Sequence, residues 1–359
     1  MSDSVPGDFN LSCPLPLDAH TTVQMAHGGG GRVMRGLIEG MLLPAFGGQP
    51  AGPSGRRVPP HDSAVVELDG LRLAFTTDSF VVSPLFFPGG DIGKLAVCGT
   101  VNDLAVAGAR PLWLSCALIL EEGFPLDSLR RIVESMQRTA EAIGVRIVTG
   151  DTKVVDRGKG DGVFINTAGI GLVPAGVDVS PARVAPGDAV LVSGDLGRHG
   201  IAIMSVREGL AFEGALESDC APLADLVAAL LPLGADLHCL RDLTRGGLAA
   251  ALNEIAQDAG VGIRLEEQSI PVAGPVAGAC ELLGLDPLYV ANEGRLVAFV
   301  PGSVAERALA ILRGHPSAPE AAIVGTVTEA SPGMVELRSR LGGGRLVDLL
   351  SGEQLPRIC

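Results

Sequence analysis

A segment rich in proline and glycine near the middle of the chain most constrains the fold. It covers residues 174–186, within the text PAGVDVSPARVAPGD, and is typical of a linker. The chain on either side of it contains both apolar runs of strand type and runs of helical periodicity. With 359 residues the chain also exceeds one ordinary core. The sequence therefore predicts two domains, each mixing strands and helices.

The apolar patterns divide the chain into four parts. We expect a flexible arm over residues 1–20, a first domain over 21–175, a second over 176–338, and a mobile tail over 339–359. Strands are predicted at 64–68, 71–78, 112–120, 146–151, 163–173, 189–194, 295–300 and 321–330. Helices are predicted at 33–43, 93–108, 199–208, 245–260 and 303–315, and in a segment that Asp127 should cap and that runs to Ile143.

Composition narrows the class of protein and of ligand. Hydrophobic residues make up 47% and aromatic residues only 3%, which predicts a packed core of Val, Leu, Ile and Ala. The net charge of −14 disfavours nucleic acid, whose phosphates require basic patches. A phosphorylated ligand would need metal ions or main-chain amides to offset the repulsion.

Targeting signals and disulfides are not expected. No apolar run approaches the roughly 20 residues that span a bilayer, and the N-terminus lacks the pattern of a signal peptide. The seven cysteines are odd in number and show no CxxC spacing. These features favour a cytoplasmic protein with free thiols and no membrane association.

Acidic residues next to Gly, Ser or Thr follow several predicted strands or lie in turns. They are Asp78, Asn102 with Asp103, Asp151 and Asp242, with Asp62 as a weaker fifth position. Such carboxylates can converge on Mg²⁺, which prefers oxygen ligands and bridges nucleotide phosphates. Each could instead be a helix cap or turn former. Their combination with the cations Lys94, Lys153 and Arg245 favours a phosphoryl-transfer site.

A glycine loop and the last residue add two further candidates. His27–Gly31 (HGGGG) would let main-chain amides approach a phosphate, although a plain flexible turn is equally consistent with it. It is not a P-loop, because GxxxxGK[ST] is absent. Cys359 is the last residue, and an exposed thiol there suggests a chemical role. The other six cysteines lie mainly in apolar settings.

Several longer motifs carry a family resemblance. They are HGGGG at 27–31, TTDSFVVSPLFFPGGDIGKLAVCGTVNDLAVAGARP at 76–111, GDTKVVDRG at 150–158, RDLTRGGLAAALNEIA at 241–256, NEGRLV at 292–297 and PRIC at 356–359. Over essentially its whole length the sequence resembles the HypE family of hydrogenase maturation proteins, the carbamoyl dehydratases. The N-terminal arm is covered poorly, and the loop carries a glycine where many relatives have serine.

The resemblance implies a fold and an activity. The fold would be that of aminoimidazole ribonucleotide synthetase: an N-terminal α/β ATP-binding domain whose strands form a barrel across a homodimer, a C-terminal α+β domain, and a flexible tail. The activity would be the ATP- and Mg²⁺-dependent dehydration of an S-carbamoyl group on Cys359 to a thiocyanate. The partners would be HypF, which carbamoylates the cysteine, and HypC–HypD, which receive cyanide for the iron of [NiFe]-hydrogenase.

The resemblance also assigns roles to individual residues. Asp78, Asp103 and Asp242 would bind Mg²⁺, with Asp62 and Asp151 as further ligands. Residues placed around the nucleotide are Gly28, Gly29, Gly30, Gly31, Lys94, Asn102, Thr152 and Arg245. Besides Cys359, the catalytic candidates are His27 and Lys153 at the phosphate, and Glu254 or Glu293 as the general base. For both glutamates, a solvated helix face or a salt bridge is an equal alternative.

Two other functions are consistent with part of the sequence. Another enzyme of the superfamily, such as selenophosphate synthetase, thiamine-phosphate kinase or a purine synthetase, would share the aspartates and ATP. None of these explains the terminal PRIC, and the loop has no Cys or Lys as the first would require. A non-enzymatic carrier that uses Cys359 for docking or metal binding would not need the carboxylates and lysines.

Overall fold

A computed structural model describes residues 21–46, 60–209, 216–352 and 354–359. The predicted arm at 1–20 and most of the Gly/Pro-rich segment after Phe46 lie outside these residues.

The N-terminal domain is built on one mixed sheet. Its strands are β1 Ala64–Leu68, β2 Leu71–Phe80, β5 Arg110–Glu121, β6 Arg146–Val155 and β7 Val163–Val173, and a separate small hairpin is formed by β3 Phe86–Phe87 and β4 Gly90–Asp91. The sheet order is β1-β2-β7-β5-β6, with β5 and β6 parallel and the other pairs antiparallel. The five strands predicted before residue 174 are thereby confirmed.

Two long helices, α3 Ile92–Val106 and α4 Leu126–Ile143, cover one face of this sheet. Before the sheet the chain forms α1 Arg32–Leu37, which continues through a π-helical turn at Ile38–Leu42 into α2 Leu43–Ala45. Helix α3 is apolar around its circumference and almost fully buried. Helix α4 is amphipathic and buries Ile132 and Met136. Asp127 was expected to cap α4, but Pro125 is the N-cap residue and the Asp127 carboxylate accepts from Arg130 at 2.7 Å.

The C-terminal domain contains a second sheet between helices. Its strands are β8 Asp188–Val192, β9 Cys239–Asp242, β10 Gly262–Glu266, β11 Leu296–Pro301, β12 Ala322–Thr328, β13 Val335–Arg338 and β14 Gly344–Val347, in the order β14-β13-β10-β12-β8-β11-β9. Its helices are α5 Arg198–Arg207, α6 Ala224–Leu230, α7 Gly247–Ala259, α8 Gly274–Leu283 and α9 Ala305–Gly314. Helices α6 and α9 pack on one face and α7 on the other, in two separate cores.

The two domains share a third core. Residues of α3, such as Leu95, pack there with Ile201 of α5 and Val276 of α8. Helix α3 also contacts α6 and the edge strand β9. The predicted two-domain fold of α/β and α+β type is confirmed, whereas the division at residue 175 and the barrel across a homodimer stay predictions.

The second face of the N-terminal sheet is open and apolar. In the strand register Phe75, Ile170 and Trp113 lie level with one another on β2, β7 and β5. They are 48%, 37% and 43% exposed. A face of this kind usually meets another protein surface.

The tail is docked between the two domains. Leu355 and Ile358 are buried in the shared core. The main-chain N–H of Val81 donates to the oxygen of Cys359 at 3.0 Å, and that of Ser83 to the oxygen of Arg357 at 3.3 Å. The tail thus pairs in antiparallel register with the segment that follows β2. Its predicted mobility stays a prediction. In the part of the chain that the structure describes, no helix is both long enough and apolar enough to cross a membrane.

Candidate active site

A cavity of about 270 Å³ lies between the two domains. Its walls come from the end of β2, one face of α3, the end of β9 and the start of α7. The functional residues that line it are Gly30, Asp62, Asp78, Asp103, Arg241, Asp242, Arg245, Glu254, Glu293 and Cys359.

Three aspartates converge in this cavity. Carboxylate oxygens of Asp62, Asp103 and Asp242 all lie within 4.8 Å of one another. Asp62 precedes β1, Asp103 lies on α3, and Asp242 ends β9, so three separate elements meet at this point. Asp78, near the end of β2, lines the same cavity. The weaker sequence candidate, Asp62, therefore belongs to the centre of the cluster.

Hydroxyl groups hold two of these aspartates in place. Thr76 Oγ1 lies 2.8 Å from Asp103 Oδ2 and 2.9 Å from the carbonyl oxygen of Asp62. Ser63 Oγ donates to the carbonyl oxygen of Asp103 at 2.9 Å. Sequence reasoning missed Thr76. The sequence did contain an indication of its role, because Thr76 lies two residues before Asp78 and both side chains therefore lie on one face of β2.

The carboxylates repel one another in a buried setting. Burial raises the pKa of Asp103 well above its usual value, and Asp78, Asp242 and Asp62 raise it further. Burial likewise raises the pKa of Asp242, with Asp62 adding to the shift and Arg241 opposing it. A cluster of this kind favours a bound cation or bound protons.

Arg241 neutralises one side of the cluster, although sequence reasoning did not single it out. Its Nε lies 2.5 Å from Asp62 Oδ1 and its Nη2 lies 2.8 Å from Glu254 Oε2. Burial alone would lower the pKa of Arg241, but Asp62 and Glu254 raise it, and the net shift is upward. The signal was its position directly before Asp242, one of the candidate metal ligands.

The residues present fit a divalent cation. Among the described residues, Asp62 Oδ2 and Asp242 Oδ2 are buried oxygens without a hydrogen-bond donor. Leaving such oxygens unpaired costs free energy, which a metal ion would recover. Oxygen-only ligand sets of this kind suit Mg²⁺.

Glu293 differs from Glu254 in its surroundings. Glu293 is 2% exposed, and its Oε1 is buried without a partner among the described residues. Burial raises its pKa well above the usual value, and Asp242 adds to the shift. Glu254 is held by Arg241 instead. The two candidates for a general base therefore differ: Glu293 has one buried oxygen without a partner among the described residues, whereas Glu254 is ion-paired.

The glycine loop packs between the start of α7 and the tail. Gly30, at φ +74°, lines the cavity, and a Cβ there would lie 2.9 Å from the carbonyl oxygen of Arg245. A Cβ on Gly31 would lie 2.4 Å from the carbonyl oxygen of Leu350. Gly28 accepts from Arg245 Nη1 at 3.2 Å, and Gly29 lines a small slot beside the tail. His27 is outside the cavity lining, and its Nδ1 accepts from the N–H of Gln24.

Two predicted nucleotide contacts have other partners. The Nζ of Lys94 donates to the carbonyl oxygen of Gly89 at 2.9 Å, and Lys94 does not line the cavity. Asn102 is 1% exposed and bridges the domains, with Nδ2 donating to the carbonyl oxygen of Ala221 and Oδ1 accepting from the N–H of Leu223. Both lie on α3, and neither is among the residues that line the cavity.

The chain does not bring Asp151, Thr152 and Lys153 to the cavity. They lie on the edge strand β6, and Lys153 Nζ is 2.6 Å from Asp151 Oδ2. The strand register puts Gly150, not Asp151, level with Asp78, three strands away. Because side chains alternate along a strand, Asp151 projects from the open face of the sheet. Within one chain it is therefore not a ligand of the aspartate cluster.

Cys359 lies in the same cavity as the aspartates. It is half-buried and packs against the core shared by the domains. The charge at Cys359 raises the pKa of Arg245, which burial alone would lower. The last residue, the aspartate cluster and Arg245 thus line one cavity.

Comparison with known proteins assigns the family. The AIR synthase related protein family matches the chain in two parts, its N-terminal domain over residues 60–173 and its C-terminal domain over residues 185–337. Carbamoyl dehydratase HypE of Rhodobacter capsulatus is 56% identical over 338 residues, which are 94% of this chain and 98% of that protein. The chain belongs to the HypE family of carbamoyl dehydratases.

Solved HypE structures have the same fold. A HypE structure in a HypE–HypF complex is 47% identical, with a TM-score of 0.81 over 88% of this chain and 99% of that chain. A HypE structure in complex with ATP is 48% identical, with a TM-score of 0.78 over 94% of this chain and 100% of that chain. The predicted family, the fold and the enzyme class are confirmed.

Proposed function

We propose that this chain dehydrates an S-carbamoyl group on its own Cys359 to a thiocyanate, with ATP as co-substrate. The observation that carries the proposal is the position of Cys359 in the cavity that holds the aspartate cluster. A related HypE has been solved with ATP. Two features support the proposal: a cluster of carboxylates that suits Mg²⁺, and a cysteine that lines the same cavity.

The aspartates would hold Mg²⁺. Asp62, Asp103 and Asp242 are the principal ligands in this proposal, since their oxygens converge and two are without donors among the described residues. Asp78 is a fourth candidate at the cavity wall. When bound, Mg²⁺ neutralises charge on the nucleotide phosphates. The loop at 27–31 would cover the nucleotide with its main-chain amides.

The chemical problem is that the oxygen of a carbamoyl group is a poor leaving group. The carbamoyl oxygen attacks the γ-phosphorus of ATP, and the bond from that phosphorus to ADP breaks. The C–O bond then breaks, phosphate leaves with the oxygen, and two N–H protons are removed. The products are Cys–S–C≡N, ADP and phosphate. The first step depends mainly on positioning and charge neutralisation.

We assign proton removal to Glu293 rather than Glu254. The Glu293 carboxyl group is buried at the cavity, and one of its oxygens has no hydrogen-bond partner among the described residues, which leaves that oxygen available to accept a proton. Glu254 is ion-paired with Arg241 and supports the Asp62 side of the cluster. Arg245 would balance negative charge beside Cys359.

The reaction requires the tail to visit other proteins. HypF would load the carbamoyl group, consistent with the solved HypE–HypF complex of a relative. HypC–HypD would accept cyanide for [NiFe]-hydrogenase maturation. An extended segment from Leu346 to the end reaches roughly 45 Å, which is enough for such exchanges.

We also propose a homodimer that covers the open sheet face. The exposed row of Phe75, Ile170 and Trp113 is the apolar patch expected of such an interface. Asp151 and Lys153 project from that same face, so a dimer would bring them close to the other subunit rather than to their own cluster.

The intact mass of the chain tests the activity. With HypF, carbamoyl phosphate and ATP, Cys359 should gain one carbamoyl group and then lose one water, and Cys359→Ala should show neither change. ATP turnover by Cys359→Ala on an added small substrate would support another superfamily enzyme. A carbamoyl group that persists with ATP and Mg²⁺ would support a carrier.

A further inference from the structure

A series of hydrogen bonds in the C-terminal domain ends on the main chain of the tail. The N–H of Cys220 donates to Ser218 Oγ at 3.0 Å, and that hydroxyl lies 2.8 Å from His199 Nδ1. His199 Nε2 lies 2.7 Å from the carbonyl oxygen of Ile358. A carbonyl oxygen can only accept, so Nε2 carries the hydrogen and the neutral ring accepts at Nδ1 from Ser218. Burial lowers the pKa of His199, which favours this neutral form.

Arg207, at the end of the same helix α5, binds three more carbonyl oxygens. Its Nε donates to Ser83 at 2.5 Å, its Nη1 to Pro356 at 2.5 Å, and its Nη2 to Arg357. The planar guanidinium therefore connects the segment after β2 with the tail. Four carbonyl groups in these two segments are bound by two side chains of one helix.

The docked tail has a backbone conformation that needs such support. Arg357 has φ +54°, in the left-handed region that residues with a Cβ avoid. Its carbonyl oxygen is held by Arg207 and by the N–H of Ser83, and its side chain is ion-paired with Asp161. These contacts support the left-handed conformation of Arg357, two residues before Cys359.

We propose that His199 and Arg207 are positioning residues that hold Cys359 in the cavity by binding the carbonyl groups of residues 356–358. We call this pair the carbonyl latch. The proposal rests on the proposed function for its catalytic consequence, while the docking itself is a property of the chain alone. Neither residue was among the sequence candidates, and neither lines the cavity.

The latch is coupled to the proposed general base. Asp219, next to Ser218, accepts from the N–H groups of Glu293 and Gly294 at 3.2 and 3.0 Å. One short segment, 218–220, therefore supports both Glu293 and the ring of His199. This fixes the tail relative to Glu293 through a common support.

The latch binds the main chain and not the sulfur. Its acceptors are carbonyl oxygens of Pro356, Arg357 and Ile358, which precede the reacting residue. A carbamoyl or cyano group on Cys359 leaves these contacts in place. The same two residues can thus dock the tail before and after the chemical step.

Alkylation of Cys359 tests the latch without the reaction. We would treat the full chain with iodoacetamide and follow each cysteine by peptide mass spectrometry, with buried Cys280 as internal reference. His199→Phe keeps a ring of similar size without a donor, and His199→Gln keeps an N–H donor. Arg207→Met and Arg207→Lys form a second pair. Val206→Ala, at an exposed position on the same helix, is the control.

The donor-free variants His199→Phe and Arg207→Met should raise the alkylation rate of Cys359 about tenfold, since each loses hydrogen bonds to the tail. His199→Gln and Val206→Ala should stay close to the wild-type rate. In the donor-free variants, single-turnover dehydration of the carbamoylated chain should slow, while carbamoylation by HypF should not. A general loss of stability would slow both reactions, so slower dehydration with unchanged carbamoylation points to the latch.

Unchanged Cys359 alkylation in Arg207→Met and in folded His199→Phe would overturn the latch. If His199→Phe fails to fold by circular dichroism, Arg207→Met decides, because Arg207 is half-buried at the helix end. If the wild-type chain does not dehydrate the carbamoyl group on Cys359, the proposed function is wrong. The alkylation rates would still test the latch.

Discussion

The main-chain N–H of Val81 donates a hydrogen bond of 3.0 Å to the main-chain oxygen of Cys359. Val81 directly follows β2, and Asp78 lies near the end of that strand. One strand and its extension therefore place an aspartate of the site and align the reacting cysteine. The distance between thiol and carboxylates is set by a few residues of extended chain rather than by the long connection through two domains.

Asp103→Asn should stabilise the chain in the absence of metal. The substitution removes one charge from a buried group of carboxylates, and we expect a gain of about 1 kcal/mol in the free energy of unfolding. It should also reduce the stabilisation that added Mg²⁺ gives. Thermal unfolding with and without Mg²⁺ measures both effects.

Asp188→Asn is the matched control. Asp188 is also buried, but it accepts from Ala185 and lies 2.8 Å from His238 Nδ1. Its substitution should destabilise the chain by about 1–3 kcal/mol and leave the Mg²⁺ effect unchanged. A loss of stability in Asp103→Asn would contradict the electrostatic account of the cluster.

Gly31→Ala should displace the tail from the glycine loop. A Cβ at this position would lie 2.4 Å from the carbonyl oxygen of Leu350, so either the loop or the tail must move. We expect weaker ATP binding and faster alkylation of Cys359, at a cost of about 1–3 kcal/mol to docking. Isothermal titration and alkylation rates measure these changes. Gly36→Ala, in α1 outside the loop, meets no atom within 4 Å and should bind ATP and alkylate as the wild type does.

Asn102→Ala should destabilise the fold rather than reduce nucleotide affinity. The side chain accepts from the N–H of Leu223 at 2.7 Å and donates to Ala221 across the domain boundary. Its removal leaves buried groups unpaired and should cost about 2–4 kcal/mol. Urea unfolding and ATP titration at low temperature separate the effects. Normal stability with lost ATP binding would restore Asn102 as a nucleotide ligand.

Trp113→Glu should convert the proposed dimer to a monomer. Trp113 is 43% exposed in the middle of the open apolar row, and a charge there would be buried in the interface. Leu341→Glu, at a position 99% exposed in another part of the chain, is the control and should leave the assembly unchanged. Sedimentation velocity distinguishes the two states. A dimeric Trp113→Glu chain would place the interface elsewhere.

The sequence predicted the helices and strands well where periodicity was strong. Helix α7 ends at Ala259, and Gly260 caps it in the left-handed conformation, as the sequence predicted. Capping itself was predicted less well: Asp127 does not cap α4, because the chain enters this helix through Pro125. Local patterns identify an element more reliably than its first residue, since the entry angle depends on what the preceding chain packs against.

The sequence by itself determined the family, because long motifs and the ending PRIC are specific combinations of residues. It also indicated Asp103 and Asp242 as candidates for the site. Only the tertiary structure decided that Asp62 joins them, since this depends on its contacts with Thr76 and Arg241, which are distant in the sequence. Only the strand register decided that Asp151 projects from the other face, because a shift of one residue reverses the side chain. The carbonyl latch could not be predicted, since its partners are main-chain oxygens, which every residue possesses.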